Sequence, residues 1–312
     1  MSHIYIQKIF NSNKIKLIGT PYYIIGESIA ARHTSMYIEG LNIMLDCGKY
    51  MEKNPSNIFI THSHSDHVKD LPSMLIEPSK QNINIIIPQP EIKHIREYIE
   101  SYFRMTKYSD KFDKIWWNLI GVSIQKDINS PFFMDKTFKI NNSIFKIELF
   151  KCTHTIPTTG YGFIEIRQKL KDEYIGSSKL EIENFKKTGT EITRTVEVPL
   201  FCYLGDTTHH VFYKNKECTE YNPHIEKYKN IITECTFYEE EDIKHAKDKK
   251  HTHWNNINKY IAEHPENNFI LYHFSMKYKP YEVSKFFKKQ INYITNELYV
   301  NINLLIHEFE DE

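Results

Sequence analysis

Apolar positions along the chain fall into short continuous runs separated by polar turns, with a few longer stretches at helical spacing. Asn84-Ile85-Ile86-Ile87, Leu200-Phe201-Cys202-Tyr203-Leu204 and Phe269-Ile270-Leu271-Tyr272 are rich in β-branched or aromatic residues, which predicts buried strands. Met36-Tyr37-Ile38 and Ile43-Met44-Leu45 flank Glu39-Gly40-Leu41-Asn42 and predict a hairpin that closes at Asp46-Cys47-Gly48. A second hairpin is expected over 138–150, where Phe145 to Phe150 alternate, and a strand over 231–237. Residues 3–18 alternate loosely and also read as strands. Ile92, Ile95, Tyr98, Ile99, Tyr102 and Phe103 repeat at helical spacing, which predicts a helix over 90–107. Further helices are expected near 68–75, 254–263 and 280–290. The aromatic stretch Phe112 to Trp117 reads as core or loop wall, and the tail carries apolar runs over 297–306. Residues 163–198 are the least regular part.

The 312 residues suit one large α/β domain or two small ones, and no low-complexity linker divides them. The expectation is a single domain over 1–312. At 40% apolar and 26% charged residues the chain is globular. Lys plus Arg and Asp plus Glu are 40 each, so the formal net charge is zero. A strongly basic nucleic-acid coat is excluded, and any RNA contact must rest on a local patch. Cys47, Cys152, Cys202, Cys218 and Cys235 are scattered without a Cys-x-x-Cys pair, which reads as reduced thiols in a cytoplasmic protein. No apolar run approaches the ~18 residues of a membrane span, and no charged-then-apolar leader is visible.

The chemistry concentrates after Ile58-Phe59-Ile60, in Thr61-His62-Ser63-His64-Ser65-Asp66-His67. In extended chain, residues two apart point to the same side, so His62 and His64 can grip one ion. Asp66 and His67 follow on a turn that can swing them toward a second ion. Imidazole nitrogen with carboxylate oxygen suits zinc, with manganese or iron as poorer fits. His154 ends a strand before a Pro/Gly loop and can reach the same rim. Asp206, in Gly205-Asp206-Thr207 at another strand end, stands where a carboxylate could bridge two metals. His209 and His210 read as neighbours or surface, not ligands.

The His-x-His-x-Asp-His phrase resembles the metallo-β-lactamase superfamily, which implies a four-layer αββα sandwich with one or two metals at its rim. Asp46-Cys47-Gly48 resembles that superfamily's entry to the metal loop, so Asp46 reads as an orienter of a ligand histidine; a plain strand-end cap is the alternative. His154-Thr155-Ile156-Pro157-x-x-Gly160-Tyr161, Gly205-Asp206-Thr207, Glu234-x-Thr236-Phe237 and His273-Phe274-Ser275-x-x-Tyr278 together resemble ribonuclease Z, over roughly Gly19 to Tyr278. The resemblance assigns His62, His64 and His154 to one zinc, Asp66, His67 and His273 to the other, and Asp206 to the bridge. It implies attack on phosphorus by a hydroxide held between metals about 3.5–4 Å apart. Beside the motif Asp66, the proton-handling pair matches Glu234 and His251, with His253 close enough to be the real one. The family's His-Glu-Ala-Thr reads Thr233-Glu234-Cys235-Thr236 here, and its His-Ser-Thr reads His251-Thr252-His253.

The implied function is a zinc-dependent endoribonuclease acting on precursor transfer RNA, with a possible homodimer and no membrane partner. The competing reading is a small-substrate metallo-hydrolase, a glyoxalase II-like thioesterase or a β-lactam hydrolase. Residues 163–198 embed Arg167, Lys169, Lys171, Lys179, Lys186, Lys187 and Arg194 between two metal motifs. They form either an arm or lid that grips RNA, or a solvated charged face.

Overall fold

The computed structural model describes residues 14–76, 82–108, 116–124, 132–134, 137–140, 143–214, 221–294 and 301–306. The strands expected over 3–13, the aromatic positions 112–115, Cys218 and the tail at 297–300 lie outside the described residues. The first sheet holds β1 (Lys14–Lys16), β2 (Tyr23–Ile29), β3 (His33–Glu39), β4 (Ile43–Leu45), β5 (Asn57–Phe59), β6 (Ile83–Pro88) and β7 (Trp117–Val122), in that order. The second holds β8 (Phe132–Phe133), β9 (Phe138–Ile140), β10 (Ser143–Cys152), β11 (Thr158–Leu170), β12 (Thr193–Tyr203), β13 (Asn230–Glu234), β14 (Asn268–Tyr272) and β15 (Asn301–Leu304). Its order is β15-β14-β13-β12-β11-β10-β8, with β9 also paired to β10.

Both sheets are antiparallel on one side and parallel on the other. Pairing is antiparallel from β1 to β4 and parallel from β4 to β7. It is antiparallel from β8 to β12 and parallel from β12 to β15. Parallel strands need crossovers. These carry α1 (Ser65–Val68), α2 (Leu71–Leu75) and α3 (Ile92–Lys107) in the first half, and α5 (Ile243–Lys249), α6 (Trp254–Glu263) and α7 (Pro280–Ile294) in the second. α4 (Lys179–Lys187) lies in the β11–β12 connection. Among the described residues no helix is long and apolar enough to cross a membrane.

The strand period of two sorts the apolar runs into three cores. Ile43, Leu45, Phe59 and Ile86 point inward and meet Phe145, Phe163, Phe201, Ile232 and Ile270 from the other sheet. Met44, Ile58, Ile60, Ile85 and Ile87 point outward onto Leu71, Leu75, Ile95, Ile99 and Phe103 of the first helix layer. Ile231, Phe269 and Leu271 point outward onto Trp254, Ile257, Ile261, Val283 and Phe287 of the second. Strands covered on both faces must be apolar at every position, which is why they read as unbroken runs. The result is an αββα sandwich, as the resemblance implies.

Several expectations change. β2 was not anticipated, because Tyr23–Ile29 alternates inward and half-exposed positions across a glycine. The strand expected over 231–237 ends at Glu234, where Thr236 turns its side chain back to the Glu234 carboxylate. α5 was missed because Ala246 is its one buried residue. The stretch 163–198 is regular: β11 and β12 pair out to Leu170 opposite Thr193, and α4 follows with a Ser178–Glu181 capping box. Beyond Ile166 its charges hid a two-stranded ribbon exposed or half-exposed on both faces.

Phe163 is fully buried at the centre of the inner core, with ring centroids 4.9 Å from Phe59 and 4.4 Å from Phe201. Phe163→Ala should cost about 3–5 kcal/mol in urea unfolding, the usual cost of a large core cavity; a loss under about 1 kcal/mol would contradict this packing.

Candidate metal centre

The rim lies at the carboxyl ends of the parallel strands, where ligands gather in open α/β sheets. Asp46 follows β4, His62 follows β5, Asp206 follows β12, Glu234 ends β13 and His273 follows β14. His154 follows β10. Asp46 and His273 sit in the left-handed region, with φ of 56° and 64°. Non-glycine residues held there store about 1–3 kcal/mol and tend to cluster at functional sites. Gly48 and Gly205 permit close approach: a Cβ on Gly48 would collide with the Asp66 carbonyl oxygen, and one on Gly205 would meet Thr61 Cβ at 2.6 Å.

The side chains form two clusters that share a carboxylate. The ligand atoms of His62, His64, His154 and Asp206 lie within 4.8 Å of one another, and so do those of Asp66, His67 and His273. His62 Nε2 and His154 Nε2 are each 3.1 Å from His64 Nδ1. His67 Nε2 is 3.3 Å from His273 Nε2 and 3.4 Å from Asp206 Oδ1. Asp206 Oδ2 is 3.4 Å from His273 Nε2, and 3.8 Å from both His62 Nε2 and His154 Nε2. Asp206 thus faces both clusters. Asp66 Oδ2 is 3.3 Å from His273 Nε2 and accepts the Ala31 N–H at 2.8 Å.

Hydrogen bonds at the far side of each ring assign the tautomers. His154 Nδ1–H donates to the Lys250 carbonyl at 3.2 Å, and His67 Nδ1–H to Asp46 Oδ2 at 2.7 Å. Thr61 Oγ1 donates to Asp46 and so accepts from His62 Nδ1–H at 3.0 Å. Thr236 Oγ1 donates to Glu234 Oε2 at 2.5 Å and accepts from His273 Nδ1–H at 3.0 Å. With Nδ1 so engaged, each of these rings turns Nε2 toward the cluster centre. Facing ring nitrogens 3.1–3.3 Å apart repel wherever neither carries a proton, unless a cation stands between them. Asp206 Oδ1 is buried, and among the described residues its nearest donor is the His67 ring, 3.4 Å away. The residues therefore fit two cations with nitrogen and oxygen ligands.

The electrostatics agree. Burial pulls His62 well below its usual value and His154 down to about 4, so both are neutral and free to ligate at neutral pH. Burial also opposes charge on His67, but the Asp206 and Asp46 carboxylates on either side outweigh it and hold a proton there. A bound cation would take that proton's place. Burial would raise the Asp66 carboxyl, yet the His273 hydrogen bond and the His67 charge hold it below the usual carboxylate range.

Two buried carboxylates orient these rings. Asp46 accepts from His67, from the Thr61 N–H at 2.7 Å and from the Tyr203 hydroxyl at 2.5 Å. It is placed to orient the His67 ring, as the resemblance implies. Glu234 accepts the Thr207 N–H at 2.9 Å and His251 Nδ1–H at 2.9 Å. Sequence reasoning missed Thr61, Tyr203 and the Lys250 carbonyl, since nothing local marks a residue that acts through another strand's histidine.

The two candidate histidines separate clearly. His251 stands at the rim, its Nδ1 3.9 Å from Asp206 Oδ2. It forms a third group with Asp206 and His273, but its Nδ1 is committed to Glu234. Burial lowers His251, but the Glu234 charge and hydrogen bond push it up to about 9. His253 is buried elsewhere: Nδ1 caps α6 by accepting the Asn255 N–H, and Nε2–H donates to the Glu239 carbonyl. His209 contacts Asn256 and His210 and lies outside the clusters.

No family model matches the chain. The tRNase Z TRZ1 of Arabidopsis thaliana is 31% identical over 268 residues, covering 84% of this chain and 88% of that protein. The chain belongs to the tRNase Z family. The short form of human tRNase Z superposes with a TM-score of 0.52 at 18% identity, over 90% of this chain and 94% of that one. The metallo-beta-lactamase fold protein YhfI of Bacillus subtilis gives 0.54 at 13% identity, over 93% and 99%. The fold is thus the metallo-β-lactamase fold, and a tRNase Z-like chain carries buried His/Asp clusters at its rim.

Zinc-loaded protein should contain about two ions per chain, the number a shared carboxylate between two clusters is built for. Asp206→Ala should lower occupancy of both sites together in metal analysis. His253→Ala should leave metal content intact while costing about 0.5–2 kcal/mol of stability as a lost helix cap. One tightly held ion surviving intact in Asp206→Ala would argue against the shared carboxylate.

Proposed function

We propose that the protein is a metal-dependent endoribonuclease that hydrolyses a phosphodiester bond of precursor transfer RNA, releasing the 3′ trailer. The observation that carries this reading is the Glu234–His251 pair set against Asp206. A buried carboxylate holds His251 Nδ1–H at 2.9 Å, leaving Nε2 to exchange a proton with the leaving oxygen. Bound cations of the zinc class would supply Lewis acidity toward the phosphoryl oxygens and lower the pKa of the attacking water. His62, His64 and His154 would hold one cation, Asp66, His67 and His273 the other, and Asp206 both. A glyoxalase II-like thioesterase or a β-lactam hydrolase could use the same clusters. The proton-handling pair argues against both, and the relative's name, tRNase Z, supports transfer RNA.

We read 163–198 as an arm rather than a lid. β11 leaves the rim at Thr158, and its 13 residues amount to up to about 40 Å of strand at 3.3 Å each. A tip carried that far from its own metal centre suits a long structured RNA. Its charge is balanced, seven basic residues against Glu165, Asp172, Glu173, Glu181, Glu183, Glu191 and Glu197. Arg167, Lys171 and Arg194 are paired with Glu165, Glu191 and Asp172. That leaves Lys169, Lys179, Lys186 and Lys187 for phosphates.

His251→Ala should cut turnover on precursor transfer RNA by about 10²–10⁴ while metal content stays, the usual share of a general acid. Cleavage-site mapping beside a generic RNA tests the substrate: cuts scattered equally over both would point to a general ribonuclease. Neutralising Lys169, Lys186 and Lys187 together should raise KM for the precursor and flatten its salt dependence by about one per lost phosphate contact. Hydrolysis of bis(p-nitrophenyl) phosphate, too small to reach an arm, should hold steady; equal losses on both substrates would mean damage to the fold.

A further inference from the structure

α5 ends on a residue its backbone does not favour. Lys250 has φ 55° and ψ 47°, a C-terminal position that glycine fills most often because a Cβ is strained there. His251 N–H closes the turn on the Ala246 carbonyl at 2.9 Å, and Lys250 N–H bonds the Lys247 carbonyl at 3.2 Å. This closure delivers His251 to the rim, and glycine would provide it at lower cost. The turn therefore does not explain the lysine.

The Lys250 backbone carbonyl accepts His154 Nδ1–H, and its ammonium donates to the His154 carbonyl, each at 3.2 Å. The first contact belongs to the main chain and survives any substitution. The second uses one of the ammonium's three donors. Lys250 is exposed, and among the described residues its ammonium is hydrogen-bonded to that carbonyl with no carboxylate within ion-pair distance. Cations in a last helical turn offset the macrodipole, which accounts for Lys247 and Lys249. It does not account for an ammonium folded onto a metal-ligand loop.

We propose that Lys250 binds a backbone phosphate of the RNA adjacent to the reacting one. The proposal rests on the ribonuclease reading above. His154 faces the clusters through Nε2, while Lys250 holds its main-chain end, so the ammonium stands one side-chain length off the centre. It reaches a neighbouring phosphate, with two donors left for its oxygens. The contact is to the backbone, so it positions the strand without reading a base.

The test is equilibrium binding of a precursor transfer RNA across a salt series, with metal content and melting temperature measured alongside. Lys250→Gly keeps the carbonyl on His154 and relieves the strain, so metal content should hold and melting temperature should not fall. Its Kd should rise about tenfold, the loss expected of one charge-assisted hydrogen bond. The salt slope should shrink by about 0.7–0.9. Lys250→Arg should recover both. Unchanged Kd and slope in Lys250→Gly would overturn the proposal. So would a loss of metal in that variant, which would make the side chain a structural clasp for His154. If the wild-type protein binds the RNA but never cuts it, the endoribonuclease reading fails, and the isotherms still decide Lys250.

Discussion

Imidazole lone pairs repel one another, and the rim of this molecule aims several of them at shared points. His62, His64 and His154 meet around one point, His67 and His273 around another, with Asp206 facing both. Such an arrangement is unfavourable without cations and costly to hold open. The surroundings supply the restraint: far-side hydrogen bonds to Asp46, Thr61, Thr236 and the Lys250 carbonyl keep His67, His62, His273 and His154 from turning away. Metal-ligating histidines are commonly held in this way, and the restraint sets both orientation and basicity.

The two halves of the sandwich solve the problem alike. Asp46 follows a strand of the first sheet and holds His67 together with the Thr61 backbone; Glu234 ends a strand of the second and holds His251 together with the Thr207 backbone. Each carboxylate thus fixes one imidazole and the strand end beside a cluster residue, His62 in one case and Asp206 in the other. A buried carboxylate is tolerable only when its lone pairs are filled, and both are. The difference lies in what each imidazole faces. His67 is turned into the His/Asp cluster, whereas His251 stands at the rim with Nδ1 committed to Glu234.

On the proposed reading, recognition of RNA must work without a general electrostatic pull. The chain is neutral overall and its β11–β12 ribbon is balanced, with three of that ribbon's basic residues already paired. On the proposed ribonuclease reading, phosphate affinity would depend on individual lysines at particular places. That favours a long ligand touched at several separated points over a small anion drawn in by net charge.

The sequence alone determined the buried strands and most of the His and Asp residues gathered in the clusters. Strands buried on both faces must be apolar throughout, and metal ligands must follow them at the rim, so Ile58-Phe59-Ile60 before His62 and Leu200 to Leu204 before Asp206 were legible locally. The helices at 92–107 and 254–263 were legible because their apolar faces repeat at 3.6 residues. The ribbon over 163–198 was not, because a solvated strand pair has no buried face to impose alternation. The choice between His251 and His253 was not legible either. Two residues of the same type, two apart, differ only in which way a left-handed turn at Lys250 sends them. That turn carries one to Glu234 and Asp206 and leaves the other to cap α6. Tertiary structure alone could decide it, since the deciding carboxylates come from other strands.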